Sequence, residues 1–387
     1  MHIAIIGAGI SGLTTAVALR RAGLTSQVYE QAPELTEVGA GLQLAPNAVR
    51  QLRRLGLGDV LDEVAVRPAA IEMRRWDDGE LIMSTALAGC EQRYGAPYLT
   101  VHRADLHRCL IGALPSGTVR LDSRLTGLAE WPDRAELTFA DGFTTKPEVV
   151  VGADGIHSVT RERLVRDRPR FSGQTIYRGL VPADKVPELA EDPKVRLWLG
   201  PDQHCVSYPV SGGAWISFGA TTPADGWDLE SWTAAGQAEH MVRAYRHWHP
   251  QVLGLLSAAG TVRRWALHDR DTIERWSTDR LTLAGDAAHP MLPFLAQGAN
   301  QAVEDAVVLA ECLARSTGDV AAALRRYQDI RAPRTAEVQQ RSRGNTRTLH
   351  LPDGDEQRRR DAELGGRADL SGQDWLWAYD PTTAVAP

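Results

Sequence analysis

The sequence predicts an α/β protein in which a parallel sheet is joined to a second, mainly antiparallel domain and a helical C-terminal segment. Three observations predict this class. The chain begins with a strand, a glycine-rich turn, a helix and a strand; apolar and polar residues alternate from about 177 to 264; and a long helical pattern follows Gly298. The chain has 387 residues, and at roughly 150 residues per domain it has room for two to three domains.

The composition excludes several classes of protein. Hydrophobic residues make up 43% of the chain and charged residues 24%, as in globular rather than disordered proteins. A formal net charge of −6 provides no general attraction for phosphates, so we expect no nucleic-acid partner. The four cysteines are far apart and form neither a zinc motif nor a disulfide framework. We therefore expect no metal site.

The sequence also predicts a cytoplasmic protein without a membrane partner. No apolar run approaches the roughly 20 residues that span a bilayer. The stretch from Ile3 to Leu19 is uncharged, but no basic region precedes it and glycines interrupt it, which argues against a secretion signal.

The parallel sheet is assembled from distant segments. His2 to Ile6 predicts a buried strand, apolar residues at helical spacing follow from Leu13 to Arg20, and Gln27 to Glu30 predicts a second strand. This β-α-β unit requires parallel pairing. Val149 to Ala153 and Leu281 to Ala284 have the length and apolar character of buried parallel strands, so we expect them in the same sheet.

The middle of the chain predicts half-buried antiparallel strands. Val195 to Leu199 and Ala214 to Phe218 alternate in the expected way. Seven of the eleven tryptophans fall between Trp198 and Trp276. Two interpretations stand: these rings enclose a flat ligand, or they belong to the core.

Domain boundaries follow from these changes in pattern. We place the first domain at residues 1–70, 100–176 and 265–342, the second at 71–99 and 177–264, and a C-terminal helical segment at 343–387. The last of these turns polar and charged before it reaches Trp375, Leu376, Trp377 and Tyr379. We expect these rings to dock, either closing a pocket or supporting a dimer, and both a monomer and a homodimer stay open.

A glycine motif lies between the first strand and the first helix. Gly7, Gly9 and Gly12 form G-x-G-x-x-G, and Glu30 ends the next strand eighteen residues later. The first glycine permits the turn, the second admits a pyrophosphate close to the backbone, and the third lets helix and strand pack. The helix N-terminus attracts phosphates, and the Glu30 carboxylate accepts bonds from a ribose diol. This context predicts a Rossmann-type dinucleotide site without separating FAD from NAD.

A second element favours FAD. The strand ending in Gly285-Asp286 is followed, a dozen residues later, by a helix that opens at Gly298. A carboxylate at a strand end accepts bonds from a sugar-like chain, and a helix N-terminus stabilises negative charge on a reduced ring. Flavin needs both features, whereas NAD needs neither. The alternative is that Asp286 only caps the following turn.

Several stretches of the chain together resemble one family. They are the glycine motif, Glu37 to Gln43, Val101 to Leu106, Val151 to Ser158, Gly285-Asp286 and Asp374 to Trp377. The chain resembles the single-component flavoprotein aromatic hydroxylases, in the branch of 3-hydroxybenzoate 6-hydroxylase, salicylate hydroxylase and 6-hydroxynicotinate 3-monooxygenase. The resemblance implies a glutathione-reductase-like domain with bound FAD, a separate substrate domain, and NADH or NADPH as a transient electron donor with no nucleotide fold of its own.

The resemblance also implies cofactor contacts. Beyond the glycine motif and Glu30, these are Gln31, Arg103, Leu125, Asp154 and Asp286, together with Gly41, Leu42, Gln43, Gly298, Ala299 and Asn300 bordering the isoalloxazine ring. Arg103 is expected to contact the ribityl-pyrophosphate region, and Asp154-Gly155 to serve both FAD and the passing nicotinamide.

His204 and Tyr208 are the candidate catalytic residues. If their segment is a strand, the two side chains lie four residues apart and point to the same face. Similar hydroxylases place such a pair against the ring hydroxyl of the substrate. Oxygen transfer is fastest onto a phenolate, and lowering a phenol pKa from 10 to 7 requires about 4 kcal/mol, which a base and hydrogen bonds in a dry pocket supply. The alternative is that each side chain is satisfied locally within the sheet.

The chain departs from its relatives at ring-contacting positions. Pro293 stands where 3-hydroxybenzoate enzymes carry Gln, while Phe294 and Gln43 stand where hydroxynicotinate enzymes carry His. Neither substrate is therefore carried over. Arg178, Arg196 and Arg264 are available to pair with a substrate carboxylate. His289 is expected to pack or to bond to backbone rather than to act catalytically.

These observations predict an FAD-dependent monooxygenase. It would hydroxylate a small phenolic or heteroaromatic acid with NAD(P)H and O2 through a flavin hydroperoxide. The alternatives are an NAD(P)-dependent dehydrogenase, which leaves Gly285-Asp286 unexplained, and a flavin-binding protein without turnover. A flavin halogenase needs a lysine near the ring, and Lys146, Lys185 and Lys194 all lie outside the motifs that border it.

Overall fold

The computed structural model describes residues 1–35, 40–224, 237–366 and 369–385. The strands are β1 Ile3–Ile6, β2 Ser26–Tyr29, β3 Gly41–Leu44, β4 Ala70–Arg75, β5 Leu81–Ala86, β6 Leu99–His102, β7 Val119–Arg120, β8 Leu125–Glu130, β9 Ala135–Phe139, β10 Thr144–Thr145, β11 Val149–Gly152, β12 Arg170–Pro182, β13 Val195–Gly200, β14 Gln203–Val210, β15 Trp215–Pro223, β16 Arg263–Asp269 and β17 Leu281–Leu283. The helices are α1 Ile10–Arg21, α2 Pro46–Arg54, α3 Gly58–Val64, α4 Cys90–Tyr94, α5 Arg103–Gly112, α6 Pro187–Ala190, α7 Ala238–Ala244, α8 Pro250–Ser257, α9 Gly298–Ala314, α10 Val320–Leu349, α11 Asp355–Gly365, α12 Asp374–Trp377 and α13 Pro381–Val385.

The first sheet is parallel throughout and has the strand order β17-β11-β1-β2-β7. Ile3 in β1 is aligned with Val149 in β11 and with Ser26 in β2. The strands β1, β11 and β17 are buried along their whole length. One face of the sheet packs against helices such as α1 and α9, and the other packs against β9 of a three-stranded sheet. The predicted assembly of distant apolar segments into one parallel sheet is confirmed.

The second large sheet has seven strands in the order β16-β12-β15-β14-β13-β4-β5. Its pairs are antiparallel except for β13 with β4. This confirms the antiparallel prediction for the middle of the chain. The register places Arg178 opposite Gly219, and Tyr208 opposite Ser217. Three neighbouring strands, β12, β15 and β14, thereby bring their side chains to one face beside the parallel sheet.

Three element bounds differ from the places where the pattern changes in the sequence. The strand β12 already begins at Arg170, and β16 continues to Asp269, so the second sheet extends beyond residues 177–264 on both sides. The helix α10 runs without a break through Arg343, where we divided the first domain from the C-terminal segment. The polar residues of this helix led us to expect a boundary at Arg343. Polar residues can line the solvent face of a continuous helix, so polarity alone does not mark a helix end.

The C-terminal aromatic residues dock within the chain itself. The Trp377 ring lies 5.8 Å from that of Tyr94 and 5.3 Å from that of Tyr98. Arg334 in α10 donates hydrogen bonds to the carbonyl oxygens of Trp375 and Leu376. The expected docking is confirmed, and it places this segment behind the two-stranded sheet of β3 and β6.

The tryptophans of the middle region divide between core and cavity. Trp198, Trp248 and Trp276 are buried in hydrophobic clusters, whereas Trp265 lines the cavity described below. Trp215 is exposed at the start of β15. The predictions for Trp227 and Trp232, and for Glu37 to Gly39, concern residues outside the described ranges. Core is therefore the correct interpretation for most of the tryptophans that the structure describes.

Within the described ranges, no helix is both long and apolar enough to cross a membrane. The same ranges contain no group of three His, Cys, Asp or Glu side chains placed to hold a metal ion.

Candidate active site

A cavity of about 310 Å³ lies where the parallel sheet meets the seven-stranded sheet. Predicted site residues that line it are Gly9, Gly41, Leu42, Gln43, Arg103, His204, Tyr208, Asp286, Gly298 and Ala299. Ser11, Arg178 and Ser217 also line it. Other predicted residues, namely Gly7, Gly12, Glu30, Gln31, Leu125, Asp154 and Asn300, do not contribute to its wall.

The glycine motif shapes one end of the cavity. Gly7 has φ +101°, and a Cβ there would lie 2.5 Å from the carbonyl oxygen of Ala153. A Cβ at Gly12 would lie 1.9 Å from the carbonyl oxygen of Gly7. A Cβ at Gly9, in contrast, would meet no atom of the described chain within 4 Å. Gly7 and Gly12 are thus required by packing, and Gly9 faces the space that a pyrophosphate needs.

The first turn of α1 has donors available at this space. Gly9 is the N-cap residue and provides no side-chain cap. The Ser11 hydroxyl oxygen is buried without a hydrogen-bond partner among the described residues. Unpaired N–H groups and a hydroxyl at a helix N-terminus suit a phosphate.

Glu30 holds the glycine turn in place. Its carboxylate accepts hydrogen bonds from the backbone N–H of Ala8 at 2.7 Å and of Ala32 at 2.9 Å. Each oxygen retains a second lone pair, so the predicted contact with a ribose diol stays a prediction. Gln31 is exposed beside it, and Leu125 lies in the separate three-stranded sheet of β8 to β10.

Asp154 and Asn300 use their side chains to fix loops. Asp154 accepts hydrogen bonds from the Ser158 hydroxyl and from both the hydroxyl and the backbone N–H of Thr160. The Asn300 side chain accepts a bond from the N–H of Ala45 and donates to the carbonyl oxygens of Gln43 and Ala296. Their predicted contacts with FAD stay predictions. Because both side chains already bond within the chain, the backbone groups of the two residues are the ones available for such contacts.

Asp286 lies just after β17, beside the N-terminus of α9. Its side chain is open to the cavity, yet it sits deep enough that desolvation raises the pKa of its carboxyl above the usual value, against the opposing effect of His289 and Arg103. A Cβ at Gly298 would lie 3.8 Å from Asp286 Oδ1, so the helix N-terminus begins directly beside this carboxylate. The predicted pairing of an acid with a helix N-terminus is present.

A buried ionic network lies beneath this loop. Arg331 donates to Glu304 Oε2 at 2.6 Å and to Asp305 Oδ1 at 2.8 Å. The other oxygen of Asp305 accepts from the N–H of Gly285 and contacts His289 Nε2 at 2.5 Å. Although burial opposes it, His289 and Arg331 hold the pKa of Asp305 to about 2. His289 is fully buried and packs against the Trp276 ring, with centroids 5.4 Å apart, as expected, and its side chain bonds to a carboxylate rather than to backbone.

Arg178 is the cationic group of the aromatic end. Its guanidinium lies 5.1 Å from the Trp265 ring, and burial lowers its pKa while the nearby Tyr208 opposes this shift. Arg196 instead pairs with Asp192 at 2.5 Å. Arg264 donates to the Thr175 hydroxyl at 3.1 Å. Of the three arginines that the sequence offered for a carboxylate, only Arg178 lines the cavity.

His204 and Tyr208 both line the aromatic end, as expected for one face of a strand. Burial and the neighbouring His350 lower the pKa of His204 well below its ordinary value. Burial raises the pKa of Tyr208, opposed by Arg178 and by hydrogen bonds to Gln43 and Ser217. Both side chains are therefore neutral at pH 7.

The strand β3 approaches Tyr208 closely. A Cβ at Gly41 would lie 2.4 Å from Tyr208 Cε2 and 2.6 Å from Ser217 Oγ. The N–H of Gly41 donates to that hydroxyl at 2.9 Å, and Gln43 accepts a hydrogen bond from the Tyr98 hydroxyl at 2.6 Å. The close approach of Tyr208 and Ser217 to the backbone explains the need for glycine at position 41.

Much of the remaining wall is apolar, although His268 and Gln297 also line it. The apolar part includes Ile176, Val206, Trp265, Leu267, Met291, Leu292, Pro293 and Phe294. Phe294 packs edge-on against His204, with ring centroids 5.4 Å apart. Of the positions where relatives carry polar ring contacts, Pro293 and Phe294 are thus hydrophobic here, whereas Gln43 stays polar.

Sequence reasoning missed Ser11 and Ser217 in the cavity wall, and His350 behind it. Ser217 follows Trp215 in a strand and shows no motif of its own. His350 lies 146 residues from His204, in a stretch that reads as a polar helix end, yet its Nε2 is 2.7 Å from His204 Nδ1. A local sequence signal for His350 does not exist, because the contact depends on where α10 ends.

The glycine turn opens directly onto a largely apolar cavity, an arrangement typical of the class of flavin-dependent monooxygenases that act on aromatic compounds. The residues fit FAD: Gly9 leaves open space, Ser11 has an unpartnered hydroxyl, and Asp286 lies beside a helix N-terminus. The chain belongs to the FAD binding domain family, whose model matches residues 1–342.

Three comparisons give the range of its relatives. The chain is 50% identical over 380 residues to 3-amino-4-hydroxybenzoate 2-monooxygenase of Streptomyces platensis, covering 98% of this chain and 96% of that protein. It is 39% identical over 361 residues to 6-hydroxynicotinate 3-monooxygenase of Bordetella bronchiseptica, covering 91% and 94%. The solved structure of Klebsiella pneumoniae HpxO complexed with FAD and uric acid has a TM-score of 0.87 at 28% identity, covering 100% of this chain and 97% of that one.

These findings confirm the predicted resemblance, the fold class and FAD as the cofactor. The enzyme is an FAD-dependent aromatic monooxygenase. The dehydrogenase and the flavin-binding protein without turnover are set aside, since the relatives compared above are named monooxygenases.

Proposed function

We propose that the enzyme hydroxylates a phenolic aromatic acid with O2 and NADH or NADPH, and that a 4-hydroxybenzoate with an amino group beside its hydroxyl is among its substrates. The observation that carries the proposal is that Arg178, His204 and Tyr208 surround one cavity that also reaches the glycine motif. The relative at 50% identity, a 3-amino-4-hydroxybenzoate 2-monooxygenase, supports the choice of substrate.

Arg178 is proposed to bind the carboxylate of the substrate. A guanidinium in a largely apolar wall needs an anion to offset its desolvation, and a carboxylate matches its fork of donors. Stacking against Trp265 limits the orientations of the guanidinium. The carboxylate then fixes one end of the substrate, which leaves the ring hydroxyl to be recognised by groups further along the cavity.

His204 and Tyr208 are proposed to recognise that hydroxyl. Because His204 is neutral, it has one ring nitrogen able to accept a proton and another that donates. Tyr208 is also neutral and donates a hydrogen bond, which stabilises a phenolate oxygen more than a phenol oxygen. The two side chains thereby favour the electron-rich form of the ring.

The cofactor is proposed to lie along the other half of the cavity. Gly9 and Ser11 would hold the pyrophosphate, Arg103 and Asp286 the ribityl chain, and Gly298 and Ala299 the edge of the ring system. When bound, FAD supplies the redox chemistry, accepting a hydride from NAD(P)H and activating O2 for transfer to the aromatic ring. The peroxide route predicted from the sequence stays a prediction.

The apolar wall is proposed to protect this chemistry from water. Met291, Leu292 and Phe294 cover the cavity from one side, and Ile176 and Trp265 from the other. A dry site strengthens the hydrogen bonds to the phenolate and limits the loss of activated oxygen as H2O2.

The test is substrate-dependent turnover. Purified protein should be yellow, and 3-amino-4-hydroxybenzoate should accelerate the oxidation of NADH or NADPH by at least about ten-fold, as expected when substrate binding gates a reduction step. Mass spectrometry should find a product heavier by one oxygen atom, with label from 18O2. Protein that binds FAD but gives no oxygenated product with a panel of hydroxybenzoates would contradict the proposal.

A further inference from the structure

His204 and His350 form a hydrogen-bonded pair behind the aromatic end of the cavity. Nδ1 of His204 lies 2.7 Å from Nε2 of His350, and the ring centroids are 5.0 Å apart. Phe294 packs edge-on against both rings. Because Nδ1 of His204 is engaged with His350, Nε2 is the nitrogen left for a ligand in the cavity.

The backbone of His204 is held by contacts that do not involve His350. The backbone N–H of His204 donates to Thr221 Oγ1 at 2.8 Å, and its carbonyl oxygen accepts from the Tyr245 hydroxyl at 2.7 Å. Thr221 lies in β15, and Tyr245 directly follows α7. Nδ1 of the His204 ring also lies 3.1 Å from Thr221 Oγ1. Substitution of His350 therefore changes the chemistry of the pair while His204 keeps its place in the strand.

Both rings are neutral at pH 7. Burial lowers the pKa of His204 well below its ordinary value, with His350 adding to the effect, and burial lowers the pKa of His350 to about 4. A neutral imidazole carries one N–H, so a single proton lies between the two rings. The pair has two arrangements, which differ in the ring that donates.

The two arrangements differ in what they leave unpaired. If His204 donates from Nδ1, its Nε2 faces the cavity as a proton acceptor, and the proton of His350 sits on Nδ1. That atom is buried without a hydrogen-bond partner among the described residues, and a buried N–H without a partner is destabilising. If His350 donates from Nε2 instead, its Nδ1 is an acceptor without a hydrogen bond. In this arrangement Nε2 of His204 carries the proton and presents an N–H to the cavity. An unpaired acceptor is tolerated better than an unpaired donor.

We propose that His350 completes a two-histidine relay that removes the proton from the phenolic hydroxyl of the bound substrate. This inference rests on the proposed function. The relay starts from the first arrangement, in which Nε2 of His204 is an acceptor, and a pair in the second arrangement first converts to it. The phenol O–H bond then breaks, and its proton joins Nε2 of His204 while the electron pair stays on oxygen. The Nδ1 proton of His204 moves to Nε2 of His350. The Nδ1 proton of His350, which is buried in the resting structure, passes to a water molecule that reaches this nitrogen when the C-terminal end of α10 loosens at its cap residue His350.

The relay ends with a phenolate and two neutral histidines. His204 then presents its N–H to the phenolate oxygen, and the orphan donor of His350 is gone. His204 alone would have to keep the substrate proton as a buried imidazolium, which the apolar surroundings oppose. His350 touches no ligand and acts through His204.

Proton release on ligand binding tests the relay directly. Isothermal titration calorimetry of the FAD-loaded protein, repeated in buffers of different ionisation enthalpy, counts the protons released for each ligand bound. Two ligands of similar shape are compared. The phenol of 3-amino-4-hydroxybenzoate is protonated at pH 7.5, whereas the nitro group of 4-hydroxy-3-nitrobenzoate leaves that ligand ionised in solution. The wild type should release about one proton with the amino ligand and none with the nitro ligand.

The variant His350→Gln retains a hydrogen bond to His204 but passes no proton. With the amino ligand its proton release should fall below about 0.3, and its Kd for the nitro ligand should stay within about two-fold of wild type. His350→Phe should release equally few protons, which separates the relay from the chemistry of the glutamine amide.

The other outcomes each overturn the relay. Release of about one proton by both variants would show that His350 is not needed. Equal weakening of both ligands would show that His350 only supports the cavity wall. A wild type that keeps FAD but binds neither ligand would contradict the proposed function itself, and the relay would fall with it.

Discussion

At the nucleotide end of the cavity, backbone geometry between Gly7 and Gly12 sets the shape, whereas at the aromatic end the shape depends on side chains of Arg178, His204 and Tyr208. The first end is one contiguous stretch of chain, and the second is drawn from separate strands. Substitutions at the two ends should therefore fail differently. Substitutions at the nucleotide end should weaken FAD binding or destabilise the fold. Substitutions at the aromatic end should leave FAD bound and weaken binding of the aromatic ligand.

The glycine motif offers the largest effects. Gly12→Ala places a Cβ 1.9 Å from a backbone oxygen, so we expect a loss of about 3 kcal/mol or more in the free energy of unfolding. Gly9→Ala places its Cβ in open space and should keep the stability of the apoprotein. It should nevertheless weaken FAD binding about 100-fold, since the methyl group occupies the pyrophosphate position. Chemical denaturation and flavin fluorescence measure the two quantities, and equal stability losses in both variants would contradict this division.

Arg331→Met should give the next largest effect. It leaves the buried carboxylates of Glu304 and Asp305 without their main partner, which costs about 3–5 kcal/mol in the free energy of unfolding. The matched control is Arg325→Met in the same helix, whose exposed pair with Asp279 should contribute about 0.5 kcal/mol or less. Urea denaturation at pH 7 measures both.

The acid dependence of this loss has a definite sign. The folded-state pKa of Asp305 is lowered to about 2, so its contribution to stability is fully present above its unfolded value near 4. That contribution disappears as pH falls from about 4 to about 2. The stability difference between wild type and Arg331→Met should be constant above pH 5 and shrink below pH 4. A difference that grows with acid would contradict the assigned pairing.

Arg178→Met should separate the two ends of the cavity. Loss of a charge-assisted contact of about 3 kcal/mol should raise the Kd for 3-amino-4-hydroxybenzoate about 100-fold. FAD affinity should stay unchanged. The carboxamide analogue of the ligand is the control, because it lacks the charge that Arg178 recognises and should bind both proteins about equally. An unchanged Kd for the acid would place the carboxylate elsewhere.

Gly41→Ala should have the smallest effect. The added Cβ would lie 2.4 Å from the Tyr208 ring, so the ring must shift. We expect kcat to fall about ten-fold, with a larger share of NAD(P)H consumed without product and with FAD retained. Gly254→Ala in α8, whose Cβ meets no atom of the described chain within 4 Å, serves as the control. If Gly41→Ala formed one product for each NAD(P)H consumed, the position of Tyr208 would not be critical.

The sequence predicts the nucleotide end much better than the aromatic end. One β-α-β unit contains four predicted residues of the nucleotide end, namely Gly7, Gly9, Gly12 and Glu30. Their spacing alone therefore predicts how they are arranged in space. Val149 to Ala153 was also placed correctly in the parallel sheet, because buried parallel strands have a continuous apolar pattern.

The aromatic end depends on long-range register. The sequence offered three arginines, and only the fold shows that Arg178 faces the cavity while Arg196 and Arg264 have other partners. His350 meets His204 because α10 continues to Leu349, a length that the polar surface of that helix conceals. Side-chain partners across 146 residues have no signature in spacing.

A crystal structure of the FAD-loaded protein with 3-amino-4-hydroxybenzoate tests the central claim most directly. The account predicts the flavin ring against the backbone of Gly298 and Ala299, the phenolic oxygen within hydrogen-bond distance of His204 Nε2, and the carboxylate on Arg178. An aromatic ligand bound away from His204, or a flavin ring outside this cavity, would contradict it.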